Sequence, residues 1–312
     1  MIREYRTICN LSEHFFTATN IQNVSCGEFG EILLPNGETR ACQVLEVDSD
    51  TVLAALFGSP LGVSTETCKV RFLGYGLELS LSEDLLGRTW NSLGEPLDGG
   101  PAVLPEGYAS ANAKAVNPLA RERSVKKVQI DISEVEDTEP LHLGERRTVM
   151  IDPRSSIAET AARIVRQAKI SGEKDSFTIV IAATALPFAE REHLKAELRR
   201  RGLTAQTVIF ASKPEDRPIL HLAALHTAMT AAEYFAFEKG RHVLFIAANW
   251  AAYADAFAEA MQSVSIAKWE TPGRAGYPPS CPYADLAALE ERIGCRKGRE
   301  GSITMLRVLT EE

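Results

Sequence analysis

The chain has no long hydrophobic run. No segment approaches the roughly 18–20 apolar residues that a membrane-spanning helix needs. The longest candidate, Phe177 to Ala189, includes two Thr and one Pro and suits a buried strand better. The N-terminus, MIREYRTICN, has no apolar core, so a secretory signal is not expected there. Positive charge is not in excess: 34 Lys and Arg stand against 42 Asp and Glu, a net charge of −8. A protein that grips nucleic acid by its phosphates needs a basic face, and aromatic–basic interleaving is also missing, so nucleic acid is not an expected partner. The six cysteines (Cys9, Cys26, Cys42, Cys68, Cys281, Cys295) form no CxxC and no regular framework. They read as reduced thiols of a cytoplasmic protein. The six histidines include no HExxH, and His221 and His226, five apart, are poorly spaced for one helical face, so no metal site is expected.

What is present is an ordinary globular mixture over 312 residues, 45% apolar and 24% charged. That length predicts two or three domains at roughly 100–200 residues each. Residues 1–72 read as short strands with no long helix, which predicts a small β-barrel. Asn36-Gly37 between two β-rich runs suits a tight hairpin in which both turn positions take positive φ. Residues 76–145 are rich in Gly and Pro and read as a linker or as a segment wrapping a surface. From Arg147 onward, strand and helix alternate. Strands are predicted at 148–151, 177–183, 207–211 and 242–247, with helices at about 156–169, 188–201, 218–238 and 251–264. Ser156 and Glu159 fit a capping box at the first helix. Near-continuous apolar strands between helices predict a parallel sheet covered on both faces.

Several segments carry a family resemblance, in order and along nearly the whole chain. They are YRTI, GEFGEILLPNGETRACQVLEV, SEDLLGRTWNSLGEPLDGGPAVLPE, NPLAR, AARIVRQA, AEYFAFEKGRHVLFI, GRAGYP at Gly273–Pro278, and YADLAALEERIG followed by GSIT. The sequence resembles the B subunit of V-type and A-type rotary ATPases, the non-catalytic partner in the hexameric head. The resemblance implies an α/β core of the P-loop NTPase or RecA-like kind at 73–312, behind the 1–72 barrel. It implies assembly beside a catalytic A-type subunit and a central rotor stalk, in ATP-coupled proton or sodium transport. Contact with the membrane would be only indirect, through the complex, on the cytoplasmic side. A stand-alone pseudo-ATPase, acting as a binding or regulatory module, is the alternative.

Where the residues depart from the family pattern, they weaken nucleotide chemistry. A phosphate-binding loop needs glycines, whose N–H groups surround phosphate, and a Lys to meet its charge. Here the loop is Asp152-Pro153-Arg154-Ser155-Ser156, with neither. Pro153 has no N–H to donate. Asp152 would bring a like charge to the phosphate, a repulsion of ~4 kcal/mol at 4 Å and an effective dielectric near 20. Arg154 is the one compensating cation in the loop. Ser155 or Ser156 is expected simply to cap the helix. Asn249 stands where the resemblance places a Mg²⁺-serving Asp, and a neutral amide holds a hard cation less well. It is expected to satisfy a strand-end backbone group instead. Glu190 and Glu192, near the position of a catalytic Glu, are expected to be solvated helix charges beside Arg191. ATP or ADP binding is therefore expected to be weak, and no residue is assigned a catalytic role. In the family, the GRAGYP loop faces the ring centre and adjacent subunits. Arg274, Tyr277 and Tyr283 are thus candidate interface residues, the alternative for that loop being a structural turn. The resemblance also implies an Arg finger and a helical bundle beyond GSIT. The sequence stops at Glu312, so both are expected to be absent, through truncation or natural shortening.

Overall fold

A computed structural model describes residues 3–112, 116–130, 140–171, 177–269 (side chains up to 260) and 288–310. The chain opens with seven antiparallel strands: β1 (Glu4–Tyr5), β2 (Ile8–Leu11), β3 (Phe15–Ala18), β4 (Glu28–Leu33), β5 (Thr39–Asp48), β6 (Thr51–Leu56) and β7 (Lys69–Gly76). They hydrogen-bond in the order β1-β7-β4-β5-β6-β3-β2, a near-closed barrel. Alternating side chains such as Ile32, Val44, Val52, Leu56 and Val70 fill its interior.

The hairpin between β4 and β5 forms as expected, but with a different turn. Gly37 N–H donates to the Leu34 carbonyl at 3.0 Å, placing Pro35 and Asn36 at the two turn positions. Gly37 alone takes positive φ, +87°, as the bulge residue that follows. Pro35 fixes a negative φ and selects this three-residue loop over the two-residue form.

The second unit is built on a parallel sheet. Its strands run Arg146–Ile151, Ser302–Thr310, His242–Ala248, Thr178–Ala183, Thr207–Ala211 and Thr89–Asn91, every adjacent pair parallel. A short antiparallel strand, Gly294–Arg296, pairs with the start of Ser302–Thr310. Among the described residues, the sheet is covered by α1 (Ile157–Gln167), α2 (Phe188–Arg200), α3 (Pro218–Glu233) and α4 (Trp250–Trp269). Alternate strand residues face opposite ways. Ile179, Ile181, Leu244 and Ile246 pack with α1 and α2, whereas Val180, Phe210, Val243 and Phe245 pack with α3 and α4. α3 is buried nearly all round, which is why its sequence is apolar without a polar face.

The Gly/Pro-rich stretch proves to be more than a linker. Thr89–Asn91 adds the outermost strand of the sheet, and Glu78–Leu81 pairs with Gly107–Ser110. Arg88 holds the intervening loop. It makes two bonds of 2.8 Å to Asp98 and one of 2.8 Å to the Pro101 carbonyl, and lies over the Trp90 ring. The guanidinium keeps the Asp98 carboxyl far below the usual carboxylate range. The barrel meets the second unit through Phe15, Leu53, Ala55 and Phe57 against Ile219 and Ala223 of α3.

A buried ion pair fastens the C-terminal segment under α3. Arg292, only 1% exposed, donates to Glu233 at 2.7 Å, to the Thr230 hydroxyl at 2.8 Å and to the Ala111 carbonyl at 3.0 Å. Arg296 reaches the other Glu233 oxygen at 2.9 Å and covers the Phe237 ring. Just downstream, a Cβ at Gly301 would collide with the Ala236 carbonyl, so only glycine lets the last strand enter the sheet there.

Candidate functional site

In an open parallel sheet, ligands are received outside the carboxyl ends of the strands, where successive connections diverge. Here the chain leaves Ile151, crosses through α1 and skips two strands before it re-enters the sheet at Thr178. The loop 152–156 and Asn249 both lie at this edge, at the ends of strands separated by Ser302–Thr310.

Much of the loop is bonded internally. Asp152 Oδ1 accepts the Arg154 N–H at 2.8 Å, and the Asp152 carbonyl accepts the Ser155 N–H at 2.8 Å. Of the two serines, Ser156 takes the cap: its Oγ accepts the Glu159 N–H at 3.1 Å. The Ser156 carbonyl accepts the Thr160 N–H at 3.1 Å. Pro153 and Arg154 are exposed.

Glu190 is where the structure corrects the sequence reading. It is not a solvated helix charge. Its Oε2 accepts the Ser156 hydroxyl at 2.7 Å and the Ala158 N–H at 3.0 Å, so the carboxylate of α2 sits on the N-terminus of α1. The partial positive charge of that helix end favours an anion there. Glu192 does behave as a surface charge, exposed and paired with Lys195 at 2.8 Å.

Asn249 has φ +63°, a left-handed conformation that Asn tolerates better than most residues. Its Oδ1 accepts the Ala252 N–H at 3.4 Å, capping the first turn of α4. Nearby, Ala185 also takes positive φ, +50°, and its N–H donates to Ser212 Oγ at 2.9 Å. The fully buried Ser212 hydroxyl meets His221 Nδ1 at 2.9 Å, and burial holds the His221 pKa below its ordinary value. This chain of bonds ties the loops after two strands together, and its hydroxyl is closed to solvent.

A cavity of about 390 Å³ opens beside the barrel, where the β2–β3 turn meets α3 and α4. Glu13, Glu215, Asp216, Asp255 and Glu259 outnumber Arg217 in its lining, so its net charge repels a triphosphate. Among the described residues, no group of three or more His, Cys, Asp or Glu is placed to hold a metal ion. Arg274, Tyr277 and Tyr283 lie outside the described residues.

A nucleotide phosphate does not fit the loop as built. The N–H groups of Arg154, Ser155, Ala158 and Glu159 are already engaged, no Lys is present, and a carboxylate holds the helix end. The scaffold nevertheless has the layout of a nucleotide-binding core. The nucleotide-binding domain of the ATP synthase alpha/beta family matches residues 132–312, more than half of the chain. The chain belongs to the ATP synthase alpha/beta family.

Proposed function

We propose that this protein is a non-catalytic subunit of the B type in the head of a V/A-type rotary ATPase or ATP synthase. It works by packing beside a catalytic A-type subunit around the rotor stalk, at the cytoplasmic face of the membrane. Family membership supports the coarser reading, a subunit of an ATP synthase-type assembly. The observation that carries the non-catalytic reading is the internally bonded strand-end loop, with the Glu190 carboxylate on the α1 N-terminus. An Arg or Lys there would stabilise phosphoryl-transfer charge, and a carboxylate does the reverse. Asn249, engaged with the α4 backbone, adds to this support.

Co-expression with the A-type subunit of the same source tests the proposal. The expected result is a stable complex whose ATPase activity survives Glu190→Ala and Asn249→Ala in this chain. Isolated chain shows no turnover above background. If the chain never enters the complex, it acts alone as a pseudo-ATPase module. Mg²⁺-dependent turnover by the isolated chain, lost on substitution of Asp152 or Glu190, contradicts both readings.

A further inference from the structure

The mismatch between the loop and a nucleotide phosphate has a specific chemical form. One oxygen of Glu190 accepts a hydroxyl and a backbone N–H at the first turn of a helix. Those are the donor types by which a helix N-terminus takes a phosphate oxygen. Glu190 arrives from a different helix, 32 residues away from Ala158, so this is not a local cap. It also joins α1 to α2, whose Ala158, Ala161, Ile164, Leu194 and Leu198 share one buried cluster.

We infer that Glu190 is a tethered stand-in for a phosphate, locking the α1–α2 face in a ligand-satisfied arrangement without a nucleotide. The inference deepens the reading of the strand-end loop given above. An intramolecular group competes at an effective concentration of about millimolar or more, so a free anion must displace it before binding. An incoming phosphate would also meet the carboxylates of Glu190 and Asp152 as like charges. The consequence is a core whose stability and shape are indifferent to nucleotide and phosphate.

Chemical rescue tests this on the full chain. Removing the side chain with Glu190→Gly vacates the oxygen and leaves the Ser156 hydroxyl and Ala158 N–H free. Loss of two charge-assisted hydrogen bonds predicts a fall in Tm of about 5 °C. Acetate or inorganic phosphate at millimolar concentration restores part of that loss, whereas chloride at matched ionic strength does not. Wild-type Tm does not respond to either anion. Glu190→Gln keeps the shape, loses the charge, and shows a smaller fall without rescue. If Glu190→Gly fails to fold, Glu190→Ala carries the same comparison. Equal stability of variant and wild type overturns the inference, as does equal anion stabilisation of both. Destabilisation without rescue overturns it too, reducing Glu190 to an ordinary contact. None of these readouts requires a partner subunit, so failure to co-assemble leaves the inference standing, and failed rescue leaves the assembly reading standing.

Discussion

Removing Arg292 probes the joint that holds the last core strand in place. The side chain is 1% exposed, and both terminal nitrogens are bonded, to Glu233, Thr230 and the Ala111 carbonyl. Arg292→Ala leaves that carbonyl without its donor and strips one partner from Glu233. Breaking a buried pair in this way costs about 3–5 kcal/mol. Arg296 still holds the second Glu233 oxygen at 2.9 Å, which places the expected loss at the low end, about 3 kcal/mol. For a chain of 312 residues that is a Tm decrease of about 5 °C. Urea denaturation of Arg292→Ala, Glu233→Gln and the double variant gives the coupling energy directly. The double variant is expected to be clearly less damaged than the sum of the singles, because each single strands the other's partner. Strict additivity, or a loss below about 1 kcal/mol for Arg292→Ala, would show that the buried pair does not hold the strand.

Two further outcomes follow from local geometry. Ala185 is held at φ +50°, where a Cβ is strained, so Ala185→Gly is expected to raise stability by about 1 kcal/mol, read as a higher urea midpoint; a lower midpoint contradicts the assignment. His226 has a buried Nδ1 with no partner among the described residues, and burial, with a smaller push from the Arg292 charge, lowers its pKa to about 4. The unfolded chain takes up that proton near the ordinary histidine value, so the contribution is full above it and is lost as pH falls toward 4. That loss is about 3 kcal/mol, so on acidification wild type is expected to lose about that much stability relative to His226→Leu; parallel pH dependences of the two contradict it.

How much of this was readable from the residues depends on the range of the interaction. α1 through α4 and the four strands between Thr148 and Ala247 follow from periodicity and apolar runs, which are local. Ser156 as a cap is also local, being a hydroxyl just before an apolar-periodic segment. Glu190 was not readable: in FAEREHLK it is one of several charges on a polar helix. Only the tertiary packing of α2 on α1 aims it at Ser156. Arg292 escaped for the same reason, since a charge within ALEERIG gives no sign of burial until Glu233 lies beneath it. Thr89–Asn91 is three residues within a Gly/Pro-rich stretch, too short for a strand pattern, and becomes a strand because Ile209 to Ala211 offers an open edge. In the β4–β5 hairpin, the Asn-Gly signal was right about the reversal. The preceding Pro35 decided the turn type.

As built, the strand-end loop does not fit a triphosphate. Calorimetric titration of ATP into the purified chain, with and without Mg²⁺, measures it directly. No heat beyond dilution is expected in either case. Stoichiometric, Mg²⁺-dependent binding that disappears on substitution of Arg154 or Ser156 would contradict it.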